Sequence, residues 1–122
     1  MEKNHPSSAK VVVIGGGVAG TSCAYHLAKF GWKDVVILER DQLTSGTTWH
    51  AAGLLGQLGA SSTITKLRKY SLYLYKELEK TTGLSTGLKQ NGAITVASSK
   101  ERMQELLRQA TTAQLSNLEV EV

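Results

Sequence analysis

The sequence predicts an α/β protein built on a βαβ unit. Two short apolar runs, residues 11–14 and 35–38, do not alternate with polar residues, which is typical of buried strands in a parallel sheet. Between them, residues 18–30 carry small and apolar side chains in a helical pattern, and Gly31 can end the helix. A strand, a helix and a strand within about 30 residues predict a right-handed crossover.

A glycine fingerprint connects the first strand to the helix. Gly15, Gly17 and Gly20 form the pattern G-x-G-x-x-G, and Glu39 follows at the end of the second strand. Such a loop lets the backbone approach a pyrophosphate, which the free N–H groups and positive dipole of the helix can bind. A carboxylate at this position accepts hydrogen bonds from ribose hydroxyls and repels a 2′-phosphate. We therefore expect NAD or FAD rather than NADP.

The segment after the second strand distinguishes these two cofactors. A plain NAD-binding domain usually continues with another helix and another parallel strand, whereas residues 41–62 are rich in Gly, Ser and Thr. The cluster Ser45-Gly46-Thr47-Thr48 precedes residues 49–55, for which we predict one or two helical turns, and it resembles a second helix start suited to an anion. Two such starts suit a longer diphosphate cofactor and favour FAD.

The remaining sequence predicts two amphipathic helices separated by a hairpin. Apolar residues recur at spacings of three and four in residues 63–82 and 99–114, and Ser99 is the expected N-cap of the second helix. Asn91-Gly92 between two apolar runs predicts an antiparallel hairpin over residues 88–97, and residues 118–122 alternate like the beginning of a strand. Two parallel strands and a hairpin do not complete a dinucleotide-binding sheet. We therefore expect residues 10–122 to be the N-terminal part of a longer domain, preceded by a disordered tail at 1–9.

Composition and charge narrow the classes of function. The 122 residues are 41% hydrophobic and 20% charged, which is a globular composition. The net charge of +4 is too small to indicate nucleic-acid binding, and the longest apolar run is too short to span a membrane. The first ten residues have neither the apolar segment of a secretory signal nor the arginines of a mitochondrial presequence. Zinc-ligand spacing and a hydrolytic triad are also absent from the sequence, so we expect no metal.

The fingerprint, Glu39-Arg40 and the stretch SGTTWHAAGL at 45–54 together resemble the D-amino-acid-oxidase-like flavoprotein superfamily. The resemblance covers residues 10–122, and the TWHAAG motif at 48–53 is most similar to the sarcosine and dimethylglycine dehydrogenase branch. It implies an FAD joined covalently, through the 8α-methyl group of its flavin, to the histidine that matches His50. The residues expected to contact FAD are Gly15, Gly17, Val18, Ala19, Gly20, Glu39, Arg40, Ser45, Gly46, Thr47, Thr48, His50, Ala52, Gly53 and Leu54.

The same resemblance implies a reaction and partners. The reaction is oxidation of the C–N bond of an N-methylated amino acid, of the sarcosine or dimethylglycine class, by hydride transfer to flavin. The implied partners are a small-molecule amine and electron-transfer flavoprotein, with folate bound by a C-terminal domain outside this chain, and no nucleic acid or membrane. The catalytic residues are expected beyond Val122. The implied compartment is the cytoplasm in a bacterium or the mitochondrial matrix in a eukaryote.

Two alternatives stay open at this point. A related branch resembles the regulatory subunit of pyruvate dehydrogenase phosphatase, which would make the chain a non-catalytic FAD-fold module. That branch lacks the histidine, so His50 argues against it. An NAD-binding domain is the second alternative, and the 44–54 segment disfavours it. Without its surrounding motif, His50 itself would be an ordinary surface or packed histidine.

Overall fold

A computed structural model describes residues 6–122 of the chain. In order, the elements are strand β1 (Val11–Ile14), helix α1 (Val18–Lys29), strand β2 (Val35–Leu38), a 3₁₀ turn (Thr47–His50), helix α2 (Ser62–Thr82) and helix α3 (Lys100–Leu115). The chain divides after Leu54 into two compact units. The first contains both strands, α1 and the 3₁₀ turn, and the second contains α2 and α3.

The first unit is the predicted βαβ crossover. β1 and β2 pair in parallel, with Val11 opposite Val35 and Ile14 opposite Leu38, and α1 packs against both strands. Helix α1 ends where expected, because Gly31 adopts a φ of +84° that lets the chain turn back. The α/β fold and the incomplete Rossmann-like unit are therefore confirmed.

The prediction that both strands are buried is wrong for the described residues. Along β1, half-buried residues alternate with exposed ones, and Ile14 is 86% exposed. The physical reason is that one helix covers one face of a two-stranded sheet. Within residues 6–54, no other helix or strand packs against the second face.

The second unit consists of two capped helices. Ser61 caps α2, since its Oγ accepts the Ile64 N–H at 3.3 Å, and Ser99 caps α3 as predicted, with its Oγ accepting the Arg102 N–H at 3.1 Å. Lys69 lies on α2, and its Nζ donates to the carbonyl of Ser116 at the end of α3, at 2.9 Å. The buried side chains of this unit are Thr65, Ala110 and Ala113.

The hairpin predicted around Asn91-Gly92 does not form. Gly92 has the positive φ, +79°, that such a turn uses, but residues 84–97 contain no strand, and Ile94 is 94% exposed. A two-stranded hairpin is marginal without a further strand or an apolar face to bury, and residues 55–122 contain no strand to extend it. The strand expected at 118–122 is absent for the same reason.

Only part of the predicted tail is described. Residues 1–5 lie outside the described residues, and residues 6–9 form neither helix nor strand.

No helix in the described part of the chain has the length and apolar character needed to cross a membrane.

Candidate cofactor site

The glycine loop brings the start of α1 close to the end of β1. Gly15 has a φ of +102°, and its N–H donates to the Leu38 carbonyl at 2.8 Å, which extends the sheet by one bond. A Cβ atom on Gly20 would collide with the carbonyl oxygen of Gly15. Both residues therefore have the structural roles expected of this fingerprint: a tight turn at Gly15 and close helix packing at Gly20.

The N-terminus of α1 presents unpaired amides. Its N-cap residue, Gly17, has no side chain to accept a hydrogen bond, and the first turn contains no acidic residue. Among residues 6–122, no acceptor pairs with the amides of Gly17, Ala19 and Gly20. These N–H groups lie at the positive end of the helix dipole, so they suit an anion such as a pyrophosphate.

Glu39 holds the glycine loop by direct contact. Its Oε2 accepts the Gly16 N–H at 2.7 Å, while its Oε1 accepts the Arg40 and Asp41 N–H groups at 2.7 and 3.1 Å. The Gly16 amide is the largest cause, followed by the Asp41 amide, of a pKa of Glu39 below the ordinary carboxyl value. The carboxylate has about four acceptor sites. Because three are engaged, it retains capacity for a ribose hydroxyl but not for two in this arrangement.

Gly16 has contacts in the glycine loop that the sequence pattern does not single out. It occupies a variable position of the fingerprint, yet it is buried, and a Cβ atom there would run into Leu43 Cδ2 and approach Glu39. Its carbonyl accepts the Thr44 N–H at 3.0 Å. Gly16 therefore connects the phosphate loop to the segment after β2. The available signal was the run of three consecutive glycines at 15–17.

The helical turns predicted at 49–55 are displaced. The structure has one 3₁₀ turn at Thr47–His50, and residues 51–59 form no regular element. Gly53 adopts a φ of +72°, which a continuing helix does not allow. A four-residue 3₁₀ turn is too short for the second anion-binding helix start that the Ser/Thr cluster predicted. The Thr48 hydroxyl instead accepts the N–H of Val18 on α1 at 2.9 Å.

His50 lies at the end of the 3₁₀ turn with an exposed imidazole. Its Nδ1 is 3.1 Å from the carbonyl oxygen of Gly46. Because a carbonyl oxygen only accepts, the ring hydrogen of a neutral imidazole lies on Nδ1 in this contact, and the lone pair lies on Nε2. The neighbouring Trp49 is 78% exposed. The imidazole is therefore accessible, with one nitrogen suited to act as a nucleophile.

The other predicted contact residues divide into two groups. The Ser45 hydroxyl donates to the Gln42 carbonyl at 2.8 Å, so it stabilises its own turn. Arg40, Thr47, Ala52 and Leu54 are exposed. The structure thus brings the fingerprint, Glu39 and Thr48 together, and it leaves these other positions at the surface.

Among residues 6–122, no group of His, Cys, Asp and Glu side chains has an arrangement that could hold a metal ion.

Residues 10–122 match the profile of a protein family described as FAD dependent oxidoreductase, abbreviated DAO. The chain belongs to this FAD dependent oxidoreductase family. The residues present fit the cofactor of the family, since the unpaired amides of α1, the glycine loop without side chains and the Glu39 carboxylate are the donors and acceptor that an adenine dinucleotide needs. FAD is therefore the cofactor indicated for this chain.

The chain is similar to sarcosine and dimethylglycine dehydrogenases and to a phosphatase regulatory subunit. It is 51% identical over 104 residues to human mitochondrial sarcosine dehydrogenase and 47% identical over 103 residues to rat mitochondrial dimethylglycine dehydrogenase. It is also 45% identical over 103 residues to the mouse mitochondrial regulatory subunit of pyruvate dehydrogenase phosphatase. Each match covers 84% of this chain but only 11% or 12% of the relative. The chain thus spans about an eighth of the length of these proteins.

Proposed function

We propose that this chain is the FAD-binding segment of an oxidoreductase that oxidises the C–N bond of an N-methylated amino acid of the sarcosine or dimethylglycine class. The observation that carries the proposal is the unpaired N-terminus of α1 beside Glu39 and the His50 turn, in a chain 51% identical to a sarcosine dehydrogenase. When bound, FAD supplies the acceptor for a hydride from the carbon next to the amine nitrogen. The chain described here binds and orients that acceptor.

Three groups of this chain have separate tasks in holding FAD. The amides of Gly17, Ala19 and Gly20 bind the pyrophosphate. The Glu39 carboxylate, already fixed by the Gly16 amide, accepts a hydrogen bond from the adenosine ribose. His50 extends from a turn that contacts α1 through Thr48, so its imidazole starts close to the phosphate-binding end of the helix.

Covalent attachment of flavin to His50 is part of the proposal. The bond joins Nε2, which carries the lone pair, to the 8α-methyl carbon, and that methyl group loses one proton. The Nδ1 hydrogen, held toward the Gly46 carbonyl, leaves as the second proton. The two electrons would pass to the flavin and from there to the electron acceptor of the whole protein. The modified peptide would therefore be heavier by FAD less two hydrogens.

The proposal extends to partners and a compartment, as the resemblance to the dehydrogenases implies them. The proposed substrate is a small amine, the proposed electron acceptor is electron-transfer flavoprotein, and folate is proposed to bind to a further domain outside these residues. Both dehydrogenase relatives are named as mitochondrial. In a eukaryote the proposed location is the mitochondrial matrix, and in a bacterium it is the cytoplasm.

A second candidate is a regulatory module without turnover. The mouse phosphatase regulatory subunit is 45% identical over nearly the same length, so overall similarity does not separate the two candidates. His50 favours the oxidoreductase, because the resemblance implies that this histidine carries FAD in the dehydrogenases and is missing from the regulatory branch. Reduction of bound flavin by sarcosine or dimethylglycine in the full-length protein distinguishes them.

The full-length, flavin-loaded protein tests the proposal directly. After acid precipitation, its flavin absorption should stay with the protein. The tryptic peptide of residues 41–66 should then be heavier by FAD less two hydrogens, with the modification at His50. An unmodified peptide from active, flavin-loaded protein would exclude attachment while leaving the oxidoreductase intact. A protein that holds flavin but reduces it with neither amine would support the regulatory candidate.

A further inference from the structure

The turn that carries His50 is fixed to the first unit through Thr48. Thr48 is half-buried in an otherwise exposed segment, and its Oγ1 accepts the Val18 N–H at 2.9 Å. A Cβ atom added to Gly17 would lie only 3.0 Å from that oxygen, so the hydroxyl occupies the space left by the missing side chain. This contact joins residues thirty positions apart.

Backbone contacts on either side of Thr48 hold the same segment. The Thr44 N–H donates to the Gly16 carbonyl at 3.0 Å, and the Trp49 N–H donates to the Thr44 carbonyl at 3.1 Å. Beyond His50, residues 51–59 belong to no regular element. Thr48 therefore supplies the side-chain contact that joins the 3₁₀ turn to α1 itself.

We propose that Thr48 is a positioning residue for covalent flavin attachment, a role that rests on the attachment proposed above. Its hydroxyl fixes the 3₁₀ turn against the N-terminus of α1. A 3₁₀ helix has about three residues per turn, so His50 lies within one turn of Thr48. The amides that bind the pyrophosphate and the imidazole that attacks the flavin are then held at a fixed distance from each other. This raises the effective concentration of the imidazole near the flavin of the bound FAD.

The Thr48 hydroxyl can bond to the Val18 N–H and to a phosphate of the cofactor at the same time. A threonine hydroxyl has one donor and two acceptor lone pairs, and here a lone pair receives the Val18 N–H. Among residues 6–122, no acceptor pairs with the hydroxyl hydrogen. That hydrogen can donate to a phosphate oxygen at the helix terminus. Cofactor binding would therefore add a hydrogen bond to Thr48 without breaking its contact with Val18.

The test uses full-length apoprotein with saturating FAD and follows attachment by the mass of the peptide of residues 41–66. Thr48→Val removes the hydroxyl and keeps the side-chain shape, whereas Thr48→Ser retains the hydroxyl. Thr63→Val, at an exposed threonine on α2, is the matched control. We expect attachment to slow about fivefold in Thr48→Val, the central factor for one lost hydrogen bond. Thr48→Ser and Thr63→Val should stay close to the wild-type rate.

Amide hydrogen exchange without FAD provides a second readout. If Thr48→Val does not fold, the same measurement is made on Thr48→Ala. Loss of the hydroxyl should speed exchange at Val18 and across residues 47–50, and Thr48→Ser should restore protection. Unchanged exchange, or attachment at the wild-type rate in Thr48→Val, would contradict the role of Thr48 alone. A wild-type protein that never forms the covalent bond would instead overturn the proposed attachment and, with it, this role.

Discussion

Glu39 accepts the amide hydrogen of Gly16 at 2.7 Å, across 23 positions of the chain. Glu39 follows β2, and Gly16 lies in the loop after β1, so the contact joins the ends of two paired strands. The sequence pattern assigns this carboxylate to the ribose of a cofactor. The structure adds that the same carboxylate also accepts a backbone amide of the glycine loop.

Glu39→Gln in the full-length protein should therefore weaken FAD binding for two reasons. The glutamine side chain has no negative charge. It also has only one oxygen, which cannot accept from both Gly16 and Arg40 in the geometry that the two carboxylate oxygens use. We expect affinity for FAD to fall roughly tenfold to a hundredfold, the range for a charge-assisted hydrogen bond. Flavin incorporation at limiting FAD measures this, with the exposed Glu119→Gln as control. Equal incorporation in both variants would place Glu39 outside the site.

The lowered pKa of Glu39 also predicts a dependence on pH. Because the Gly16 amide favours the ionised form, Glu39 contributes to stability above the ordinary carboxyl value of 4.5. That contribution is lost as the pH falls below 4.5 and through the lowered pKa of the folded protein. Chemical denaturation of the full-length apoprotein between pH 6 and 3 should show a steeper loss for wild type than for Glu39→Gln. Parallel curves would contradict the contact.

Gly20→Ala should disrupt the site through the backbone rather than through charge. The new Cβ would collide with the carbonyl oxygen of Gly15, and backbone atoms cannot move aside as a flexible side chain can. We expect a loss of stability of about 1–3 kcal/mol, the usual cost of overpacking, together with loss of FAD binding. Urea denaturation and flavin content measure the two effects.

Gly56→Ala is the matched control for this substitution. The space around Gly56 is open, and its φ is not positive, so the added methyl group meets nothing. Its stability should stay level or rise by about 0.4–1 kcal/mol, because alanine restricts the unfolded chain. A Gly20→Ala protein as stable as Gly56→Ala would show that the helix does not pack so closely on the loop.

The elements with local signals were predictable from sequence. β1 and β2 lie at the predicted residues because their apolar runs end in glycine or charge, and α3 begins after its predicted cap, Ser99. The hairpin failed because Asn91-Gly92 specifies a turn and not the neighbouring strands that would make the pair stable. Segment 84–88 is held instead by Glu79, whose carboxylate accepts from the Thr86 N–H at 2.7 Å and hydroxyl at 2.8 Å.

Within the site, the features that could not be predicted from the sequence are contacts between residues far apart in the chain. The fingerprint glycines and Glu39 could be identified because the ligand imposes fixed spacings on them. The Thr48–Val18 contact has no such spacing, since thirty residues and a strand separate the two groups. Nor does any local pattern direct the Glu39 carboxylate to the Gly16 amide. Both contacts join segments that are distant in sequence, and both lie in the unit that contains the parallel pair of β1 and β2.

His50→Ala tests attachment and its chemical consequence together. The imidazole is exposed, and its contact within the fold is to the Gly46 carbonyl, so the variant should fold and still bind FAD. Its flavin should be released by acid, whereas wild-type flavin stays with the protein. His26→Ala, on helix α1, is the control and should keep its flavin after acid.

The same variant should have a lower flavin reduction potential than wild type. An imidazole bonded to the 8α carbon withdraws electrons from the ring and makes it a better acceptor, and the alanine variant loses that effect. Turnover of the amine should therefore fall more than substrate binding does, which a lower kcat with little change in KM would register. Potentiometric titration of both proteins gives the potential directly. An equal potential combined with acid-resistant flavin in His50→Ala would place the attachment at another residue.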